Sequence, residues 1–312
     1  MGADRPDISV IVVNYRSAEL TLRALEAARR SAGTFALEQI VVDNASGGTD
    51  VERLRSELPE ATVIALAENR GFAAGNNAGI AQAGGRYLLL LNPDAFAQRD
   101  GLAELVRHLD AHPAAGLAAP VLENEDGTVQ ANLYRRFPTL ATLFVEFCFP
   151  LALVAVALRA RLADPARAPA GWLPIAHAMG AVLLVRAEAA AATGPLDERF
   201  FLYLEETEWL RRMAAAGWRR DGVPSARFTH LGGGSSSSPT IASPHYLDSA
   251  ALFFRPGWAA ESVIAVAAVI SWVWLKTFSL LGRSSGPRDE LRSAFSSLLR
   301  LLGTRRRDRR AR

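Results

Sequence analysis

A single cysteine, Cys148, among 312 residues excludes an intramolecular disulfide and any cysteine-built metal centre, and points to a reducing compartment. A secretory pattern is missing as well. Asp4, Arg5 and Asp7 lead straight into the apolar run Ile8 to Val13, without a basic region, apolar stretch and small-residue cleavage site in succession. The long apolar stretches fall short of the roughly 20 residues a simple membrane-spanning helix needs. Phe137 to Leu158 is interrupted by Glu146 and Pro150, which suits a buried or interfacial helical pair. Ser262 to Leu275 is uncharged for 14 residues before Lys276 and a further apolar Phe278 to Leu281; it reads as an interfacial or core helix, which a snorkelling Lys276 would extend.

Basic charge spread over a folded face is also lacking. The tail Arg305 to Arg312 holds six arginines and one aspartate, so it alone carries +5 of a net charge of +3 and leaves −2 for the rest of the chain. A general nucleic-acid binder distributes its basic residues over a surface, and this argues against one. A terminal basic run suits anionic lipid headgroups or is a solvated tail; the preceding Leu291, Phe295, Leu298 and Leu302 share one helical face that leads into it. Finally, no G-x-G-x-x-G occurs, and the first strand ends in Asn14-Tyr15 where a dehydrogenase would place its glycine turn, which excludes a nicotinamide-dependent oxidoreductase.

What is present is a half-apolar chain able to bury a full core. Residues 1–120 alternate short β-branched runs with amphipathic stretches, the signature of βα units around a mostly parallel sheet. Strands are expected at Ile8 to Val13, Gln39 to Asp43, Thr62 to Leu66 and Tyr87 to Leu91. Helices are expected at Ala18 to Arg30, Asp50 to Leu58, Ala74 to Ala83 and Gly101 to Ala111. A turn at Asp126-Gly127, a strand over Ala181 to Val185, a helix over Glu205 to Ala216 closed by Gly217, and a strand from Ala226 to Thr229 follow. The first four strands end in polar residues, which should converge on one crevice beyond their carboxyl ends.

Several of those residues can carry chemistry. Asp94, in the turn made by Pro93, reads as a ligand of a divalent cation whose other sites are filled by phosphate oxygens and water, or as a turn-capping aspartate. Asp43 can accept a hydrogen bond from a base N–H. Arg70 offers a bidentate donor for phosphate, and Gly71 and Gly75 allow close backbone approach ahead of a helix N-terminus. Glu205, Glu206 and Glu208 open a helix, either as favourable charges at its dipole or as a general base for an alcohol nucleophile. His230, at a strand end before glycines, is a metal or phosphate ligand or a structural histidine.

The segments ISVIVVNYRS, IVVDNASGGTD, ENRGFAAGNNAGIAQAGGRYLLLLNPDA, LDERFFLYLEETEWLRRMAAAGW and FTHLGGGSS occur in this order. Together they resemble glycosyltransferase family 2, most closely its rhamnosyltransferase-like branch, over roughly Asp7 to Arg255. The resemblance implies an α/β GT-A fold, a Rossmann-like mixed sheet flanked by helices, over residues 1–255. Residues 256–312 would then form a C-terminal helical, membrane-associating extension with a basic tail. It implies an inverting, metal-assisted transfer of a sugar, dTDP-rhamnose first and a UDP-sugar second, to a glycan or polyprenyl-linked glycan acceptor. With the arginine tail and the apolar C-terminal stretches, the expected setting is the cytoplasmic face of the plasma membrane with an anionic membrane surface as a partner, and the charge placement leaves no nucleic acid. By the same resemblance Asn14, Tyr15, Asp43 and Asn44 hold the nucleoside, and Arg70, Gly71 and Asn76 or Asn77 line the diphosphate pocket. Asn92 stands where the family's motif begins with aspartate, and Asp94 and His230 hold Mg2+ or Mn2+. The family's base is an aspartate after a glutamate; here that pair is Glu205-Glu206, making Glu206 the base with one methylene more. A catalytically inactive, membrane-associated scaffold of the same fold is the alternative that Asn92 and Glu206 raise.

Overall fold

Strands buried on both faces carry continuous apolar runs, and Ile8 to Val13 and Tyr87 to Leu91 are such runs. The computed structural model, which describes residues 5–148, 171–232, 243–254 and 257–280, makes them neighbouring parallel strands. β1 (Ile8–Asn14), β2 (Leu37–Asp43), β3 (Thr62–Ala65) and β4 (Tyr87–Leu91) lie in the order β3-β2-β1-β4, all parallel, with Asn14 opposite Asp43 and Val12 opposite Leu91. Alternation along each strand separates two cores: Ile8, Val10, Val12, Leu89 and Leu91 face one side, and Ile11, Leu88 and Leu90 the other.

Beyond β4 the sheet becomes mixed. β10 (Val182–Arg186) runs antiparallel to both β4 and β6 (Ala115–Glu123); β11 (Arg219–His230) is parallel to β6, and β5 (Ala95–Ala97) and β8 (Leu173–Pro174) pair antiparallel with β11. A separate pair is formed by β7 (Leu133–Tyr134) and β9 (His177–Ala178). The carboxyl ends of β1 to β4, β6 and β11 therefore share one sheet edge with the amino ends of β5 and β10.

Helices cover the sheet: α1 (Ala18–Ser31), α2 (Asp50–Glu57), α3 (Gly71–Ile80), α4 (Gly101–Ala111), α6 (Ala187–Thr193) and α7 (Glu205–Ala215). α3 starts three residues before the expected Ala74. Its Gly75 and Gly79 lie flat on β1, where an added Cβ would come within 2.7 Å of Val13 Cγ1 and 2.4 Å of Ile11 Cγ2. The close approach that Gly75 permits is therefore to the sheet. α7 ends as expected: Gly217 has φ +85°, its N–H donates to Ala214 O at 3.0 Å, and Trp218 N–H donates to Met213 O at 3.1 Å. The turn at Asp126-Gly127 is also present, with Gly127 at φ +81°. β11 begins at Arg219, well before Ala226, because Asp221 is buried and accepts from both Arg219 and His108 Nε2, the latter at 2.8 Å, so a charged stretch becomes strand.

The chain divides into two compact units, Met1–Phe137 with Ala163–Ser237, and Pro138–Leu162 with Ser238–Arg312, a division different from a single boundary after residue 255. In the second unit α5 (Leu140–Phe147), α8 (Pro244–Phe253) and α9 (Gly257–Leu280) pack together. Ala260, Ile264, Ala267, Ala268 and Ser271 form the buried side of α9, and the Ser271 hydroxyl lies 2.9 Å from the Phe147 carbonyl. Trp258, Val266, Val269, Ile270 and Val273 are exposed, Trp258 by 63%. Among the described residues no helix is long and apolar enough to cross a membrane. Within Phe137 to Leu158 the helix runs over Leu140–Phe147 and is followed by buried Cys148; residues 149–158, the Leu291 to Leu302 stripe and the arginine tail lie outside the described residues.

Candidate active site

Asn14 and Asp43 leave the ends of β1 and β2 side by side and bond to each other. Asn14 is wholly buried; its Nδ2 donates to Asp43 Oδ2 at 2.8 Å, Ser46 Oγ at 3.0 Å and Asp50 Oδ2 at 3.1 Å, and its Oδ1 accepts from Ser17 and Thr21 hydroxyls. Asp43 accepts from Ser46 through both carboxylate oxygens, from the N–H at 3.0 Å and the hydroxyl at 2.5 Å. The Asn14 amide thus organises this corner from within. Tyr15 is half-buried beneath the Arg16 guanidinium, 5.1 Å from its ring centroid. Arg16 and Ala45 both hold positive φ, 54° and 59°, a strain that non-glycine residues sustain where surrounding bonds impose it. Here Ser46 imposes it, its hydroxyl accepting from Arg16 N–H at 2.8 Å.

At the start of α3, Asn44 Nδ2 donates to Asn69 Oδ1 and Gly71 O, and its Oδ1 accepts from Arg70 N–H. Gly71 has φ +83°, and a Cβ there would sit 2.2 Å from Phe201 O, which accepts from Phe72 N–H at 2.8 Å. The backbone that approaches Gly71 belongs to residue 201. Asn77 makes a reciprocal pair with the Leu196 backbone at 2.9 and 3.0 Å and also donates to Glu198 Oε1, while Asn76 turns back to Phe72 O. Asn77 thus braces the 196–204 segment, and Asn76 closes onto its own helix. Arg70 is ion-paired with Glu198 at 2.7 Å, with its side chain 47% exposed.

β5 pairs with β11 so that Ala95 stands opposite His230, and this register brings the preceding Asp94 to the histidine. Asp94 Oδ1 and His230 Nε2 are 3.5 Å apart, both residues nine-tenths buried, and Leu231 N–H donates to Asp94 O. Asn92 is half-buried and its N–H donates to Ala181 O across the same edge. A carboxylate oxygen and an imidazole nitrogen are the donor set that Mn2+ accepts, and Mg2+ on the carboxylate side. Among the described residues no group of three or more acidic, histidine or cysteine side chains could hold an ion by itself. The pair fits a cation that arrives with phosphate oxygens of its own.

Glu205 and Glu206 follow two residues of positive φ, Tyr203 (73°) and Leu204 (66°), held by the braced segment before them. Glu205 is 3% exposed and its Oε2 has no hydrogen-bond partner. Burial, and then the Glu206 charge, pushes the Glu205 carboxyl well above the usual carboxylate range. Glu206 is half-buried against Gly180; burial raises it too, opposed by bonds from backbone and Thr207. Burial favours the protonated form of both carboxyls, and at Glu206 the bonds from the backbone and Thr207 work against it.

Sequence reasoning missed His177. Its ring stacks on Tyr134, with centroids 4.4 Å apart and planes 7° apart, and burial lowers it from 6.5 to about 4, so it is neutral at neutral pH. Its Nδ1 lies 3.4 Å from Thr207 Oγ1, which donates to Glu206 Oε1 at 3.1 Å. Only the pairing of β7 with β9 brings Tyr134 to His177, and no sequence spacing signals that.

The model of the family described as glycosyl transferase family 2 matches residues 9–190. An N-acetylglucosaminyl-diphospho-decaprenol L-rhamnosyltransferase of Mycobacterium tuberculosis is 27% identical over 207 residues, covering 61% of this chain and 65% of its own length. Rhamnosyltransferase WbbL of Escherichia coli is 23% identical over 167 residues, covering 51% and 60%. The chain thus spans just under two thirds of these relatives. Among solved structures, a mannosyltransferase of Pyrobaculum calidifontis in complex with GDP-Man and Mn2+ aligns with TM-score 0.53 at 18% identity, covering 96% of this chain and 86% of that one. GalNAc-T7 with UDP, GalNAc and Mn2+ aligns with TM-score 0.57 at 16% identity, covering 78% and 48%.

Proposed function

The chain belongs to glycosyl transferase family 2 and has the GT-A fold, and from that premise we propose that it is an inverting glycosyltransferase. It moves a sugar, rhamnose from dTDP-rhamnose, to a glycan or polyprenyl-linked glycan acceptor. The observation that carries this reading is the pair of adjacent carboxyls opening α7, Glu205 buried with an unpartnered Oε2 and Glu206 half-buried and bonded by the Thr207 hydroxyl. In the transfer, the acceptor oxygen bonds to the anomeric carbon as the bond from that carbon to the diphosphate breaks, and the hydroxyl proton goes to Glu206. Base assistance of this kind is worth about 10²- to 10⁴-fold.

Asp94 and His230 are the residues that would hold a divalent cation, Mg2+ or Mn2+, which would neutralise charge developing on the leaving diphosphate. Arg70, once it gives up Glu198, would contact the same phosphates. An exposed pair of this kind is worth about 1 kcal/mol or less, so the exchange is cheap. Asp43, Tyr15 and Asn44 form the nucleoside side, with Asn14 holding Asp43 in place.

The exposed apolar side of α9 and the arginine run beyond it support attachment to an anionic bilayer at the cytoplasmic face, where a polyprenyl-linked acceptor would be met. Thermal shift of the full chain with dTDP-rhamnose, UDP-sugars and GDP-mannose, with and without Mn2+, tests the donor class, and release of free sugar tests turnover. Stabilisation by dTDP-rhamnose that Asp94→Asn abolishes is expected. Binding with no release of sugar and no transfer would establish the inactive scaffold instead.

A further inference from the structure

Gln130 lies just past the turn that follows β6 and reaches the strand end at His230. Its neighbours form a chain of hydrogen bonds whose direction can be worked out from one end. Asp126 Oδ1 accepts from both the N–H of Thr128, at 2.9 Å, and its hydroxyl, at 2.6 Å. An ionised carboxylate only accepts, so the Thr128 hydroxyl hydrogen points to Asp126 and its oxygen is left to accept. The Asn124 amide meets that oxygen at 2.8 Å and must therefore present Nδ2 to it, which turns Asn124 Oδ1 toward Gln130. Gln130 answers with Nε2, at 2.7 Å from Asn124 Oδ1 and 2.7 Å from the His230 carbonyl, both of which can only accept. The opposite end of the same amide, Oε1, then faces His230 Nδ1 at 2.9 Å. An oxygen cannot donate, so Nδ1 carries the hydrogen.

One consequence follows for the other ring nitrogen. In the neutral ring Nε2 bears the lone pair, and it faces Asp94 Oδ1 at 3.5 Å, too long for a strong hydrogen bond. Nitrogen and oxygen offer donor atoms of the same kind to one small space. We propose that Gln130 is a positioning residue: by accepting the Nδ1 proton of His230 it selects the tautomer whose Nε2 lone pair faces Asp94, and so sets the affinity of this corner for a divalent cation. The assignment rests on the reading of Asp94 and His230 as cation ligands. It adds that the ligand geometry is established before the cation arrives, by a relay anchored in the Asp126 turn. Metal-bound histidines are oriented in this way by the partner of their second nitrogen, and loss of that partner typically costs 10- to 100-fold in metal affinity.

The test uses the full chain with 15N-labelled histidine, at about pH 8.5, above the ordinary imidazole range. Long-range proton–nitrogen correlation reads the tautomer of each ring, His230 being assigned by loss of its signals in His230→Asn. The wild-type protein should show His230 protonated on Nδ1 and bare on Nε2. Gln130→Glu, which keeps an acceptor for Nδ1, should retain that pattern, and Gln130→Leu should lose it. Mn2+ titrated in the presence of dTDP and followed by electron paramagnetic resonance should bind about 10- to 100-fold more weakly to Gln130→Leu than to wild type. A wild-type His230 protonated on Nε2 overturns the role of Gln130 without needing any variant to fold. So does a Gln130→Leu protein with unchanged tautomer and Mn2+ affinity. Should the wild type carry the expected tautomer yet bind no Mn2+ in a way that His230→Asn reduces, the cation reading of the site fails, and with it the purpose assigned to Gln130.

Discussion

Replacing Gly71 by alanine perturbs the point where the 196–204 segment locks onto the start of α3. Two costs add. A non-glycine residue at φ +83° is disfavoured by about 1–2 kcal/mol. The new Cβ would also lie 2.2 Å from Phe201 O and 2.9 Å from Phe201 Cα, backbone atoms that cannot rotate away. Overpacking of this kind costs about 1–3 kcal/mol, and it strains the 2.8 Å bond from Phe72 N–H to Phe201 O. The total expected for Gly71→Ala is therefore about 2–5 kcal/mol. Gly48 provides the control, since it has φ +63° with nothing within 4 Å of an added Cβ; Gly48→Ala should cost only the conformational part, about 1–2 kcal/mol. Chemical denaturation of both variants measures the difference. Because Tyr203 to Glu206 follow directly on Phe201, sugar transfer by Gly71→Ala should fall on the order of a hundredfold under conditions where it remains folded, as expected of a catalytic group displaced by about 1 Å. Equal stability losses in the two variants, with transfer intact, would refute the packing of residue 201 on Gly71.

Glu206→Gln should lose about 10²- to 10⁴-fold in turnover with donor binding retained, and Glu205→Gln far less; wild-type activity should rise with pH through a midpoint above the usual carboxylate value of 4.5, since Glu206 acts only when deprotonated. If Glu205→Gln were the dead variant, the base would be one residue earlier. His177, lowered from 6.5 to about 4, binds its proton in the unfolded chain first, so its contribution of about 3 kcal/mol is present above pH 6.5 and lost as pH falls toward 4. His177→Phe should move the acid unfolding midpoint downward, and an unmoved midpoint would show that the ring is not buried neutral. Trp258→Glu combined with Val269→Glu, or deletion from Arg305, should weaken binding to anionic liposomes in co-sedimentation, the arginine part alone being relieved by salt. Unchanged sedimentation of a protein carrying all three changes would move the membrane contact elsewhere.

Elements whose signal is local were legible in the chain itself. Tyr87–Leu91 and Gly101–Ala111 fall where periodicity puts them, and the first two strands extend by a residue or two. The start of α3 was not legible, because Gly71, its first residue, is a poor helix former and holds a positive φ. The residue that secures it, Phe201, whose carbonyl accepts from Phe72 N–H, is remote in sequence.

For the site, the sequence by itself determined which residue types stand at the strand ends, because the pattern of apolar run followed by polar turn is written within a few positions. It therefore marked Asp43, Asp94 and His230 as candidates, while Glu205, Glu206 and Glu208 stood out as an acidic cluster opening a helix. Tertiary structure decided what each side chain does with its hydrogen-bonding capacity. Asn14 is committed to Asp43 and Ser46, Arg70 is held by Glu198 across 128 positions, Gly75 serves the packing of α3 on Val13, and Gln130 orients His230 across 100. Strand pairing and the crossing of the 196–204 segment bring those partners together. A buried polar group takes whatever partner the fold places within about 3 Å, and that distance is not encoded in the spacing of residues along the chain.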